Sequence, residues 1–165
     1  MNPVRSLALR RGTWPPVAGA LAVAAALSGC GSGAAHSAKA AAPRYAVEVG
    51  SPSGVGRALV DGSGFTLYMF VPDHHLKPTC YATCAVQWPP LLLPAGVHNP
   101  RAGHGVDARL LGADRRTDGR LQVTYNHWPL YLWFGDVKPG MATGQGLDNL
   151  GGYWYAMSPD GQPIK

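Results

Sequence analysis

Four side chains able to bind a soft metal or carry redox chemistry fall in one short stretch: His74, His75, Cys80 and Cys84. Two thiolates and two imidazoles at that density can hold copper or zinc, and Met69 offers a thioether beside them. The same cysteines can instead close a disulfide, because four residues apart on a helical turn their Cα atoms fall within bridging range. The two readings exclude each other, and the redox compartment decides between them. The adjacent histidines read equally well as solvated residues of a strand-end loop. Two carboxylates, Asp73 and Asp136, form the other candidate constellation. A glycosidase needs its pair in one cleft and in different environments, whereas these two recur in equivalent contexts. Asp at a strand end accepts hydrogen bonds from turn N–H groups, the role expected of both. No Gly-x-Ser-x-Gly elbow, no His-Glu-x-x-His and no serine beside a base occurs, so no catalytic residue is assigned and no enzyme is expected.

These residues are positioned by a unit that occurs twice. The first copy runs from Leu67 and Tyr68 to Asp73, then to Trp88 and the Pro94-Ala95-Gly96 exit. The second runs from Leu130 and Tyr131 to Asp136, then to Trp154 and Pro159-Asp160-Gly161. A repeated side chain is most simply explained by a repeated structural job. Tyr68, Asp73, Trp88, Tyr131, Asp136 and Trp154 are therefore assigned to the fold. Specific chemistry is sought among unshared residues, and the histidine and cysteine pairs belong to the first copy alone.

The elements around the repeats read as short strands. Residues 45–49 alternate and stop at a Gly-Ser-Pro-Ser-Gly cluster, giving a first strand. Residues 57–71, broken by Asp61-Gly62, read as a hairpin. Along its second arm Tyr68 and Phe70 share one face, and Leu67, Met69 and Val71 share the other. Both faces are apolar, which predicts a central strand. Residues 79–87 predict a short helical turn capped by Thr79 and ended by Trp88-Pro89-Pro90. Residues 94–105 read as a long loop, and 106–111 fit a helix or a strand. Residues 121–125 alternate, Asn126-His127 turns, and 129–134 pairs back. The Gly-rich stretch 144–152 lacks the lysine and the strand-to-helix context of a phosphate loop. The last strand follows at Trp154. The fold class expected is all-β: a small two-repeat, pseudo-symmetric antiparallel sandwich or open barrel with at most short helical turns. Neither half can bury its own aromatic face, so Trp88, Trp154, Tyr68, Tyr131, Phe70 and Trp133 are the expected core.

Bulk composition narrows the function classes. With 22 Gly and 15 Pro in 165 residues the chain has many obligatory turns. Its formal charge of +5 includes Arg5, Arg10 and Arg11; without them 11 basic residues face 9 acidic ones. No basic stripe with interleaved aromatics remains, which excludes a nucleic-acid partner. Those three arginines form the positive start of an export signal over 1–29, with an apolar stretch over 17–27. Leu27-Ser28-Gly29-Cys30 resembles the lipobox of bacterial lipoproteins, which implies that Cys30 takes a lipid and becomes the new N-terminus. Acylation would anchor the protein to the membrane from outside the cytoplasm. Residues 30–44 are then the lipidated N-terminus and a flexible Gly/Ser/Ala linker, and 45–165 the β domain, with repeats over about 57–96 and 120–161. An exported location favours the Cys80–Cys84 disulfide. The Cys-x3-Cys spacing is also similar to that of exported copper-handling proteins of the thioredoxin-like type, whose βαβ core has no counterpart here.

The stretches Tyr68-Met69-Phe70-Val71-Pro72-Asp73 and Tyr131-Leu132-Trp133-Phe134-Gly135-Asp136 resemble the Tyr-x-aromatic-x-x-Asp signature of a family of bacterial predicted lipoproteins, also described as a secreted repeat with a Tyr-x4-Asp motif. Cys84-Ala85 leading to Trp88-Pro89-Pro90, the 122–126 strand before Pro129, and Pro139-Gly140 before Gly144 support the resemblance. Its departure is His127, where that family usually has Gly after Asn, which bears on the turn type. The resemblance implies location and architecture and no settled activity. The function expected is a membrane-anchored extracytoplasmic lipoprotein. It would act as a binding or interaction module for an extracytoplasmic protein or small molecule, without a cofactor. The alternative is an envelope redox or copper/zinc-handling protein using Cys80, Cys84, His74 and His75.

Overall fold

The structure, a computed structural model, describes residues 41–73 and 77–165. Cys30, His74 and His75 lie outside the described residues. Nine short strands carry the fold of the described residues: β1 (Ala46–Gly50), β2 (Ala58–Asp61), β3 (Tyr68–Phe70), β4 (Arg101–Ala102), β5 (Leu111–Arg115), β6 (Leu121–Tyr125), β7 (Trp128–Pro129), β8 (Asp148–Asn149) and β9 (Gly152–Ala156). Among the described residues helical structure is limited to α1 (Thr83–Gln87) and a 3-10 turn over Val71–Asp73. The strands form three sheets, ordered β2-β1-β4, β3-β9-β8 and β5-β6-β7. All pairings are antiparallel except the two-residue parallel pair of β1 with β4. The architecture is all-β with two repeats, and no sheet of the described residues closes into a barrel.

The turn after β2 shows how local sequence sets the path. Asp61 Oδ1 accepts the N–H groups of Ser63 (2.8 Å) and Phe65 (3.0 Å), and Oδ2 accepts from Arg44 Nε at 3.3 Å. Gly62 is required there because a Cβ would collide with the Pro43 carbonyl. The expected hairpin over 57–71 survives only next to this turn. Leu67 N–H still donates to Leu59 O (2.9 Å), and then β3 leaves β2 and pairs with β9. A strand apolar on both faces needs cover that β2 alone does not supply. Leu67 and Met69 enter an aliphatic core with Val47, Leu59, Val123 and Leu130. Tyr68 and Phe70 enter an aromatic core with Trp88, Tyr131 and Trp154. Val71, expected to continue the aliphatic face, is exposed because the 3-10 turn begins at it.

Three expectations are corrected. Thr79 does not cap a helix: α1 starts at Thr83 after Ala82, with no side-chain cap, because Thr79 is committed to Asp73. The loop over 94–105 contains β4, whose pairing with β1 has no periodicity to reveal it at two residues. Residues 108–110 form a turn and β5 begins at Leu111, which decides the 106–111 ambiguity. At the β6–β7 turn Asn126 and His127 take φ values of 46° and 67°. These are the two left-handed positions of a type I′ hairpin, so the turn type persists although His127 stands where Gly would be easier.

Candidate functional site

The two repeats meet at Tyr68 and Tyr131, whose backbones exchange a pair of hydrogen bonds, each N–H donating to the other's carbonyl at 2.9 Å. Their side chains then cross. Tyr68 donates to Asp136 Oδ2 at 2.7 Å, and Tyr131 donates to Asp73 Oδ2 at 2.7 Å. Each tyrosine thus bonds the aspartate of the other repeat, not the one in its own motif. The remaining oxygens are treated alike: Asp73 Oδ1 accepts the N–H (2.8 Å) and hydroxyl (2.7 Å) of Thr79, and Asp136 Oδ1 accepts those of Thr143 at 2.8 and 2.7 Å. Both carboxylates are saturated and buried. Burial pushes both phenols far above the ordinary tyrosine range, and the neighbouring carboxylates push in the same direction, so both remain protonated donors. Burial also raises the Asp73 carboxyl, against the pull of Thr79, Tyr131 and Arg116.

Four aromatic rings stack over this centre and alternate between repeats. Phe70 lies on Trp154 (4.0 Å, 14°), Trp154 on Trp88 (3.9 Å, 2°), and Trp88 against Trp133 (4.1 Å, 33°). Tyr68 meets Trp88 edge-on at 5.4 Å and Tyr131 meets Trp154 edge-on at 5.2 Å, the geometry favoured by ring quadrupoles. Gly144 passes close enough for its N–H to reach Tyr68 Oη (3.3 Å), and a Cβ there would sit 2.8 Å from the Trp88 ring. Of the six rings expected in the core, Trp133 alone is only partly buried.

Cys80 and Cys84 are bonded to each other, with Cα atoms 5.2 Å apart. Neither sulfur is a thiolate, so the copper or zinc alternative draws no support from them, and its two histidines fall outside the described residues. Among the described residues no group of three or more His, Cys, Asp or Glu is placed to hold a metal ion. The disulfide loop instead anchors Arg116, a buried cation whose place the sequence does not mark. Its guanidinium donates to Cys80 O at 2.7 Å and to Gln122 Oε1, and lies 4.1 Å over the Tyr81 ring. Its Nε makes no hydrogen bond among the described residues and faces Asp118 Oδ2 at 3.6 Å. Nothing in an Arg-Arg pair tells which of the two is buried. Thr79, expected as a helix cap, and Thr143, given no role, are the partners missed; the signal that could have found them is that they follow their aspartates by six and seven residues in the two copies.

Tyr68, Tyr131, Asp73, Asp136, Cys80 and Cys84 are all engaged in internal bonds, and the outer end of the stack is apolar. Phe134 stands edge-on to Trp133 at 4.6 Å and is 61% exposed. Its N–H donates to Gln87 O (3.0 Å), and the Gln87 side chain accepts from Asn149 Nδ2 (3.2 Å). Gln87 so gathers three segments whose adjacent side chains, Val86, Phe134 and Leu150, all face solvent.

Fold and centre together define a two-repeat all-β module whose repeats are locked by reciprocal contacts. Residues 53–92 and 112–158 match, in succession, the family model described as a secreted repeat of unknown function. The matches cover just over half of the chain, and the chain belongs to that family. No curated protein and no solved structure matches it. Membership of a secreted-repeat family gives an extracytoplasmic location. No helix of the described residues is long and apolar enough to cross a membrane.

Proposed function

We propose that the protein is a lipid-anchored interaction module of the cell envelope, held to the membrane through Cys30. In this reading residues 1–29 are removed, 30–44 tether, and the domain from 45 onward binds an extracytoplasmic protein. The observation that carries the binding role is the exposed rim of Val86, Phe134 and Leu150 around Gln87, at the open end of a rigid ring stack. Large exposed apolar side chains gathered on a fixed scaffold are what a protein contact buries, with aromatic anchors contributing most. The use of both repeat-motif carboxylates, both phenols and both cysteine sulfurs in internal bonds supports binding over catalysis.

The test has two arms in the full-length protein. Cys30→Ser should move it from the membrane to the soluble envelope fraction, read by fractionation and by the loss of the lipid mass. A photoreactive side chain at position 134 should give an adduct with a different protein. Val86→Asp or Leu150→Asp should reduce that adduct about tenfold, the effect of roughly 1.4 kcal/mol. An adduct insensitive to both substitutions, or none at all, would sink the rim as the contact surface.

A further inference from the structure

The centre is shared between the repeats. Repeat one supplies Tyr68, Phe70, Asp73 and Trp88; repeat two supplies Tyr131, Trp133, Asp136 and Trp154. No stacked pair in the four-ring column joins two rings of the same repeat. The aliphatic side obeys the same rule. Leu59, Leu67 and Met157 close a triangle of backbone hydrogen bonds, N–H of Leu59 to Met157 O (2.8 Å), Met157 to Leu67 O (3.0 Å) and Leu67 to Leu59 O (2.9 Å). Val123, Leu91 and Leu130 close a matching triangle at 2.8, 2.9 and 2.9 Å. Each triangle takes two residues from one repeat and the third from the other. A repeat by itself would therefore expose a strand edge, two ring faces and a buried-type carboxylate.

Nothing in these contacts requires that the two repeats belong to one chain. They are joined through 94–110, whose residues are exposed or half-buried. This linker is held by the β4–β1 pair, by Gly103 N–H to Val47 O and Val49 N–H to His104 O, by Asn126 N–H to Leu110 O, and by Val97, Val106 and Leu110 against the core, contacts an exchange must release or remake. Seventeen residues can extend to roughly 55 Å at ~3.3 Å each, enough to reach a neighbouring molecule.

We propose that the repeats exchange between copies of this chain, and that the partner fitting the face of each repeat is a second copy. Repeat one of each closes on repeat two of the other in a two-fold dimer. Monomer and dimer share every Tyr–Asp bond, ring contact and β3–β9 pairing, and differ in the linker, where some of the contacts that 94–110 makes with β1 and β6 are given up. The linker's effective concentration, in the millimolar range, sets the protein concentration at which the dimer competes.

The experiment uses two full-length chains, Met69→Cys in one and Tyr155→Cys in the other, both with Cys30→Ser to remove the competing thiol. Positions 69 and 155 are cross-strand partners of β3 and β9, so opposite Cβ atoms lie about 5 Å apart, within bonding range. In closed monomers the two new thiols never meet. Unfolded together in acidic urea, where thiols neither oxidise nor exchange, refolded without oxygen and only then admitted to air, the mixture should give a disulfide-linked heterodimer whose fraction rises with protein concentration. A surface-to-surface dimer cannot produce it, because both positions are inside the β3–β9 pairing. The second measurement shortens the linker. Leu93 is bonded at Leu121 and Leu111 lies opposite Tyr125, a separation of about 13 Å along β6 at ~3.3 Å per residue. Deleting 95–109 leaves Pro94 and Leu110, which span only about 10 Å. That chain should be a dimer at every concentration by light scattering. A shortened chain that folds as a monomer overturns the proposal. So does the absence of heterodimer at about 1 mM, the concentration range of the linker itself, whatever the shortened chain does.

Discussion

Asp73 is the residue at which structure and chemistry bear most directly on each other. Its carboxylate is 1% exposed, takes bonds from Thr79 and Tyr131, and still has a raised pKa because desolvation outweighs those bonds and the nearby Arg116 charge. A carboxyl raised on folding binds its proton more tightly in the folded protein than in the unfolded chain. The stability linked to it is complete below the unfolded value of 3.8 and is lost as pH rises through the folded value. Asp73→Asn keeps an acceptor for Thr79 and abolishes the titration. Urea unfolding should show wild type gaining on the variant as pH falls from 7 towards 4. Parallel changes in both proteins would mean that Asp73 ionises as a free carboxylate does. The sequence showed this residue's role only in part. That a strand-end aspartate takes turn N–H bonds follows from its residue type, and Thr79 supplies one. That its phenol partner comes from the other repeat does not, since Tyr68 and Asp73 share a motif but no hydrogen bond.

At the scale of elements, positive φ explains both what was legible and what was not. The Asn126-His127 turn was readable from two residues between alternating stretches, and β6 occupies 121–125 as its alternation required. His127 at φ 67° bears a Cβ in a conformation that glycine accepts freely. His127→Gly should raise stability by about 1 kcal/mol, read as a shift in the urea midpoint at unchanged slope. A lower midpoint would mean that the imidazole's proximity to the Asp114 charge matters more than the backbone. The start of α1 was misplaced for a related reason. Ala82 sits at φ 48° three residues after Thr79, and Gly146 at φ 68° three residues after Thr143. Glycine needs no help there, whereas the alanine lies between the bonded Cys80 and Cys84. Repeat one makes within the disulfide loop a left-handed bend that glycine makes in repeat two.

For the whole molecule, crossed contacts make two repeats one cooperative body. Trp154→Ala removes a ring held between Phe70 and Trp88, both from repeat one. It should cost about 3–5 kcal/mol, the usual range for a buried large aromatic. Amide exchange should accelerate together in β3, β6 and β9; faster exchange confined to repeat two would show separable units. Internal duplication and an all-β class were visible in the spacing of Tyr, Asp and Trp. The exchange of partners was not, because periodicity reports which face of a strand is apolar and says nothing of which chain segment covers it. The crossing also sets a clock. Tyr68 must wait for Asp136, 68 residues later, and Tyr131 looks back 58 residues to Asp73. At roughly 5–20 residues per second of synthesis that is a delay of several seconds, during which repeat one has no core to close. Over that interval the apolar faces of repeat one stay uncovered, and the first half of the chain remains open until the second half is made.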